Sequence, residues 1–263
     1  AYLFLSNKAT KSICKRHMSQ SLPPGEKGAA VRAIYFYQLK SETMIITRYA
    51  QSCVLIETNG KRILTDPGYL NYDESLLEKW NKIDILLVTH KHKDHCHIPA
   101  ILAILKNPKT MFYASQEVAT AYPEIKNTVV VKEKDIVRLG DIKITVTKAV
   151  HGYIPSLKGG NEVKENLGFI IDDGKNKAYL TSDTICFEND YKCDILLAPI
   201  SGHGLVMGPF EAALFAKEAG AKAIIPIHLD NPKYPVDMKK AKEEIEKQGI
   251  RCELLNIGES LKI

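Results

Sequence analysis

At 263 residues the chain can bury one full hydrophobic core and carry a tail, or at most form two small domains. Its apolar fraction of 45% and charged fraction of 25% are ordinary for a soluble globular protein, and no apolar run reaches the roughly 18 residues of a membrane-spanning helix. The net charge of +5 lies entirely in residues 1–43, so the rest of the chain is formally neutral. A neutral body gives no support for non-specific binding of nucleic acid.

The first 43 residues carry seven basic and two acidic side chains and show no sustained helical or strand period. This composition resembles an organellar transit peptide, and it also fits sequence that lies upstream of a natural start at Met44. We favour the second interpretation, because strand patterning begins abruptly at Met44. The tail is then expected to carry no function, and residues 44–263 to form the domain.

From Met44 onward the sequence alternates strand patterns with turns. Met44–Tyr49, Ser52–Thr58 and Lys61–Thr65 are predicted strands, and Asn59-Gly60 is a strong signal of a β-hairpin. Periodicity predicts a helix at Ile98–Leu105, helices at Gly208–Glu218 and Val236–Gln248, and strands at Met111–Tyr113, Ile136–Leu139, Ile142–Ala149, Gly168–Ile171, Lys177–Leu180, Ile195–Ala198 and Ala223–Ile227. The order is a β-meander followed by a β/α part, twice, which predicts an α/β (α+β) fold with a repeated sub-architecture.

Residues 89–97 read Thr-His-Lys-His-Lys-Asp-His-Cys-His and carry the strongest functional signal in the chain. His90, His92, Asp94 and His95 fall within six residues, and such side chains are seldom buried unless they are paired or bind a metal. The simpler interpretation is a solvated, charged loop. The apolar run at residues 83–88 favours a metal site, because a buried strand would deliver the histidines to a sheet edge, where α/β proteins hold ligands.

Three further donors, His151, Asp183 and His228, each come just after a predicted strand. Taken singly, a histidine is more often a surface or core residue, and Asp183 also fits a helix cap. Because several strands of one sheet can direct side chains at a common point, the three together with the histidine run favour one metal site.

The six cysteines form no C-x-x-C pair and are too sparse for a disulfide scaffold. We expect most of them to be small buried side chains in a reducing cytoplasm. Cys96 lies inside the histidine run, but the run already supplies enough donors, so it is expected to be a neighbour of the metals rather than a ligand.

With these residues the chain resembles the metallo-β-lactamase-fold hydrolases over Met44–Ile263, and most of all the compact branch that includes ascorbate-6-phosphate lactonase-like proteins. Besides the histidine run, the resemblance rests on Ala50–Thr58, Ile63–Gly68, Thr181–Thr184, Ala198–Gly202, Met207–Pro209 with Glu211–Ala213, and Ile225–His228. It implies a four-layer αββα sandwich. It also implies a two-metal site, with His90, His92 and His151 on the first metal, Asp94, His95 and His228 on the second, and Asp183 bridging.

The chain departs from parts of this family in ways that bear on function. The family often has a Gly-His pair where this chain has Ala50-Gln51, so any role of that histidine is expected to be absent. True β-lactamases typically lack a histidine where His95 stands and use cysteine in place of Asp183. The diiron flavin-coupled members usually have a carboxylate where His92 stands. Hydrolysis of something other than a β-lactam is therefore favoured.

The resemblance implies two divalent ions, zinc by ligand type with manganese or iron as alternatives, and a metal-bridging hydroxide that cleaves an ester or lactone bond in a small molecule. Asp94 is expected to bind one ion and also to act in catalysis, by orienting the hydroxide or carrying its proton. Asp66, in an Asp-Pro-Gly turn, is expected to fix the ring of a metal-bound histidine.

Substrate contacts are predicted for His203 and, from the glycine-rich loop after His151, for Tyr153 and Lys158. The competing interpretation for each is an ordinary surface position. The alternative reaction is phosphodiester hydrolysis on a nucleotide, RNA or lipid head group, although the neutral body disfavours a nuclease. A binding module without turnover would be expected to lack ligands, whereas all seven positions are filled.

Overall fold

The computed structural model describes residues 43–154, 161–201 and 204–263. The described strands are β1 (Ile45–Arg48), β2 (Val54–Thr58), β3 (Lys61–Thr65), β4 (Ile85–Leu87), β5 (Met111–Ala114), β6 (Val129–Val130), β7 (Ile136–Leu139), β8 (Ile142–Lys148), β9 (Leu167–Asp172), β10 (Lys177–Leu180), β11 (Ile195–Pro199), β12 (Ala223–Ile227), β13 (Arg251–Cys252) and β14 (Ser260–Lys262). The described helices are α1 (Leu76–Lys79), α2 (Ile98–Ile104), α3 (Gln116–Ala121), α4 (Pro209–Glu218) and α5 (Met238–Lys247). The predicted tail, apart from Thr43, lies outside the described residues.

The strands form two seven-stranded sheets, in the orders β14-β1-β2-β3-β4-β5-β6 and β13-β12-β11-β10-β9-β8-β7. In the first sheet β1, β2 and β3 pair antiparallel, and β3 to β6 pair parallel. In the second sheet β7 to β10 pair antiparallel, and β10 to β13 pair parallel. Each sheet is therefore half meander and half parallel, which is the repeated sub-architecture predicted from the sequence.

The sheets pack face to face, and helices cover their outer faces. Alternate residues of one strand serve different layers: Ile85 and Leu87 lie in the core between the sheets, whereas Leu86 lies in the core under α2. In the second sheet Leu197 faces the central core and Leu196 faces α4 and α5. Because both faces of these strands are buried, they are continuous apolar runs rather than alternating ones. This arrangement is the predicted four-layer αββα sandwich.

The topology brings the ends of several strands to one edge of each sheet. Strands β1 and β3 are both antiparallel to β2, and β4 is parallel to β3, so all three end at the same edge. Strands β8 and β10 are both antiparallel to β9, and β11 and β12 run parallel to β10. The loops that follow these strands carry the side chains described below.

Every strand and helix predicted for residues 44–263 is present, with ends shifted by at most two residues. Helix α4 begins at Pro209 because proline suits the first helical position, and α5 begins after Asp237, whose Oδ1 accepts a hydrogen bond from Lys240 N. The elements that were not predicted are short: α1, α3, β6, β13 and β14. Among the described helices, none combines the length and apolar character needed to cross a membrane.

Candidate metal centre

The histidine run leaves β4 and turns back on itself at the sheet edge. His95 N and Cys96 N both donate to His92 O, at 3.0 and 2.8 Å, which closes a tight turn. A Cβ on Gly68 would lie 1.8 Å from the backbone oxygen of Asp94, so only glycine fits where the loop after β3 passes this turn. The close approach holds the Asp94 turn against the loop that carries Asp66.

The seven predicted ligands meet in two groups of donor atoms. The first, the three-histidine group, is His90, His92 and His151. The second, the Asp94 group, is Asp94, His95, Asp183 and His228. Within each group the donor atoms lie within 4.8 Å of one another. Asp183 faces both groups: its Oδ1 lies 3.2 Å from His95 Nε2, and its Oδ2 lies 3.0 Å from His228 Nε2 and 3.9 Å from His151 Nε2. The structure thus brings together residues from four separate loops.

Several donor atoms of these groups are buried without a hydrogen bond. Within the described part of the chain, His90 Nε2, His95 Nε2 and Asp183 Oδ1 make none. Buried polar atoms are nearly always satisfied. His95 Nε2 and Asp183 Oδ1 face each other at 3.2 Å as an ion pair, whereas His90 Nε2 has no polar partner among the described residues and calls for one of another kind. Imidazole nitrogens and carboxylate oxygens are the donors that zinc prefers, and the residues present therefore fit a divalent cation in each group.

The two groups differ in charge. Burial lowers the pKa of His90 well below its ordinary value and also lowers that of His151, so these rings are neutral. Burial acts in the same direction on His95 and His228, but the Asp183 carboxylate outweighs it: the pKa of His95 is raised well above its ordinary value and that of His228 to about 9. Burial opposes ionisation of Asp183, yet His228 and His95 hold its pKa well below the usual range.

Loading with metal is expected to release at least about two protons per chain at pH 7, because His95 and His228 must become neutral before they can bind a cation. Titration calorimetry with zinc in two buffers of different ionisation enthalpy measures this number. The part of the release that comes from His228 is expected to vanish as pH rises past about 9, the raised pKa of that ring. The same shift stabilises the metal-free fold fully below pH 6.5, and that stabilisation is lost as pH rises through about 9. Zinc uptake at pH 7 without proton release would contradict the expectation.

Asp66, predicted to orient a histidine, lies fully buried against His95. Its Oδ2 is 2.8 Å from His95 Nδ1, and Thr89 donates to both carboxylate oxygens, from N to Oδ1 and from Oγ1 to Oδ2, each at 2.8 Å. With Nδ1–H directed at Asp66, His95 presents Nε2 to Asp183. An acidic partner of this kind fixes both the tautomer and the orientation of a ligand ring.

The sequence interpretation missed polar residues that support the site. Gln51 Nε2 donates to Asp94 Oδ2 at 3.2 Å, and Asn166 Nδ2 donates to Asp183 O at 2.6 Å. His92 Nε2 lies 2.7 Å from Asn161 O, a contact that must open for this nitrogen to bind a metal. The signal that could have found Gln51 is its place just after β1, which ends at the same edge as β3 and β4.

The predicted substrate contacts are only partly described. Tyr153 is 54% exposed next to the His151 loop, a position open to a substrate, whereas Lys158 and His203 lie outside the described residues. Cys96 is buried and belongs to neither donor group. His97 packs against the ring of Tyr72, with ring centroids 4.8 Å apart.

Comparisons with known proteins agree with this architecture. A family model described as a beta-lactamase superfamily domain matches residues 45–228. A UPF0173 metal-dependent hydrolase from Thermodesulfovibrio yellowstonii is 32% identical over 251 residues, covering 83% of this chain and 91% of the relative. Another from Korarchaeum cryptofilum is 28% identical over 232 residues, covering 83% and 99%. Igni18, a metallo hydrolase from Ignicoccus hospitalis, shares the fold, with a TM-score of 0.70 at 24% identity over 84% of this chain and 98% of that one.

Proposed function

The chain belongs to the beta-lactamase superfamily and is a metal-dependent hydrolase, and we propose that it cleaves an ester or lactone bond in a small molecule with two divalent ions. Zinc is the first candidate, with manganese or iron as alternatives. The observation that carries the proposal is the pair of partly buried donor groups with Asp183 facing both. In this proposal the hydrolase domain is residues 44–263, and residues 1–43 supply no donor.

Each residue of the site has a role that its surroundings support. His90, His92 and His151 would hold one ion, Asp94, His95 and His228 the other, and Asp183 would contact both. When bound, the ions would supply hydroxide at neutral pH and polarise the scissile carbonyl oxygen. Asp66 keeps His95 in the tautomer that presents Nε2, and the Asn166 amide holds the backbone of Asp183 in place.

Asp94 is the residue of this set that we assign to proton transfer. Its side chain is 21% exposed, whereas those of His95, Asp183 and His228 are at most 5% exposed, so Asp94 is the more accessible to a substrate. Its Oδ2 accepts from Gln51 and faces His228 Nε2 at 3.6 Å. The other oxygen, Oδ1, is then the atom that takes up a proton and passes it to the leaving group.

An uncharged ester or lactone is favoured over a phosphodiester by the surroundings of the histidine run. Of the two lysines in the run, Lys91 is paired with Glu117 at 2.7 Å, with both side chains mostly buried, and Lys93 is exposed. A cation that is already neutralised contributes little to binding a phosphate. Cytoplasmic localisation belongs to the same proposal, because all five described cysteines are free thiols, which fits a reducing compartment.

The proposal is tested by metal analysis of the purified chain followed by a substrate panel of lactones, aryl esters, thioesters and bis-aryl phosphodiesters. We expect about two ions per chain and turnover of a lactone or ester that a chelator abolishes and added zinc restores. Reloading the metal-free chain with manganese or with iron, in parallel with zinc, shows which metal supports the highest turnover. Turnover confined to phosphodiesters would replace the ester assignment, and a fully loaded chain that is inactive on every class would refute the proposal.

A further inference from the structure

Gln51 occupies a constrained turn beside the candidate metal centre. The turn joins β1 to β2 and is closed by hydrogen bonds from Tyr49 N to Cys53 O, at 2.8 Å, and from Cys53 N to Ala50 O, at 3.1 Å. Gln51 has a φ of 56° and is only 1% exposed. A buried residue other than glycine keeps such a backbone conformation only where its surroundings impose it.

Four hydrogen bonds impose it, and they join Gln51 to two loops of the site. The backbone N donates to Asp230 Oδ2 at 2.7 Å, and the backbone O accepts from His228 N at 2.9 Å. The side-chain Oε1 accepts from Asp230 N at 2.9 Å, and Nε2 donates to Asp94 Oδ2 at 3.2 Å. The backbone N–H and C=O of Gln51 and both polar atoms of its side-chain amide therefore all make hydrogen bonds, and these bonds link the Asp94 turn to the His228 loop.

The orientation of the Gln51 amide is fixed by chemistry. Asp230 N is a backbone donor, so the side-chain atom that faces it must be the oxygen. The amide nitrogen then faces Asp94 and can only donate. Behind it, Asp230 is anchored in turn by an ion pair with Arg48, which is buried and also donates to Leu255 O at 3.3 Å.

We propose that Gln51 is a positioning residue that holds the Asp94 carboxylate in place for its metal, with Asp230 and Arg48 as its support. The inference rests on the proposed two-metal function. It gives Gln51 a role at the position where the family often has a histidine. Gln51 contacts the Asp94 group, and within the described residues none of its hydrogen bonds reaches His90, His92 or His151. Its loss therefore acts on one of the two cation sites.

The test is cobalt(II) titration of the metal-free full chain, followed by visible absorption and by competition with a chelator. Gln51→Met keeps the approximate volume and removes the amide. We expect affinity at the Asp94 group to fall about 10- to 100-fold, as is typical when an outer partner of a ligand is removed, and affinity at the three-histidine group to stay within about twofold. Gln51→His retains an N–H donor and is expected to recover most of the loss. Gln116→Met, an exposed glutamine on α3, is the matched control and should behave as the parent.

The titration distinguishes failure of the two-metal function from failure of the role given to Gln51. A parent chain that binds no second cobalt ion refutes the proposed two-metal function itself. A parent with two ions and a Gln51→Met variant with unchanged affinities refutes only the role of Gln51, as does equal weakening of both sites, which would indicate a purely structural residue. If Gln51→Met does not fold, NMR of the parent decides: the side-chain amide signal of Gln51 must shift in the course of a zinc titration to two equivalents, and a signal that stays unmoved throughout overturns the proposal.

Discussion

Asp94→Asn is expected to lower turnover by about 10²- to 10⁴-fold, because it removes both a ligand charge and the group assigned to proton transfer. The asparagine oxygen can still accept the hydrogen bond from Gln51 Nε2, so the side chain keeps its place. The loss then reflects chemistry rather than displacement. The amide cannot take up a proton at neutral pH, and it is a weaker ligand for a hard divalent ion than a carboxylate.

The measurement is kcat and kcat/KM of the zinc-loaded variant on the substrate that the parent cleaves, with circular dichroism as the check on folding. Asp190→Asn, at an exposed position after β10, makes the same chemical change away from the donor groups and should leave both constants unchanged. If Asp94→Asn turned over at more than about a tenth of the parental rate with both ions bound, proton transfer would have to be assigned to another group.

The fold could be predicted from the sequence to the extent that its elements carry a local pattern. Strands such as Ile195–Pro199 and Ala223–Ile227 are short apolar runs because both of their faces are buried, and they were found. Strands β6 and β13 have two residues each, too few to show any period. They exist because β5 and β12 offer an open edge, and such tertiary pairing leaves no local trace.

The residues of the site likewise fall into those that a local sequence pattern indicates and those that it does not. The four donors of the histidine run were visible because they are adjacent in sequence, and His151, Asp183 and His228 because each follows a strand. Gln51 follows β1 at the same edge, but an amide is not a typical metal ligand, so the sequence indicated only that a family histidine is absent at this position. Its importance depends on two loops that are distant in sequence, with Asp94 and Asp230 as partners.

Backbone conformation at the site was equally hidden. Gln51, Asp66, Ser182 and His228 all have a positive φ, between 43° and 64°. Positive φ is uncommon for residues other than glycine, and it is found where a loop must turn a side chain in a particular direction. At the ends of β1, β3, β10 and β12 it turns the chain sharply at the edge where the donors meet. Nothing in the local sequence marks these four positions as left-handed.

Asp183→Asn is expected to impair both cation groups at once, because among the described carboxylates Asp183 is the one that faces histidines of both. Turnover should fall at least as far as in Asp94→Asn, and the purified variant should retain at most about one ion per chain. The backbone contact from Asn166 Nδ2 to Asp183 O does not involve the altered side chain, so the loop should stay in place.

The metal-free variant gives an independent readout of the same residue. In the parent, Asp183 has a pKa held below its usual range by His228 and His95, so it contributes stability above pH 3.8 that is lost as pH falls through its folded pKa. Asp183→Asn lacks this contribution at pH 7, and removal of one partner from a buried ion pair is expected to cost on the order of 3 kcal/mol. Without the carboxylate, the pKa of His228 should also fall from about 9, which NMR titration of the ring can follow. A variant with unchanged melting temperature, His228 pKa and metal content would show that Asp183 does not couple the two groups.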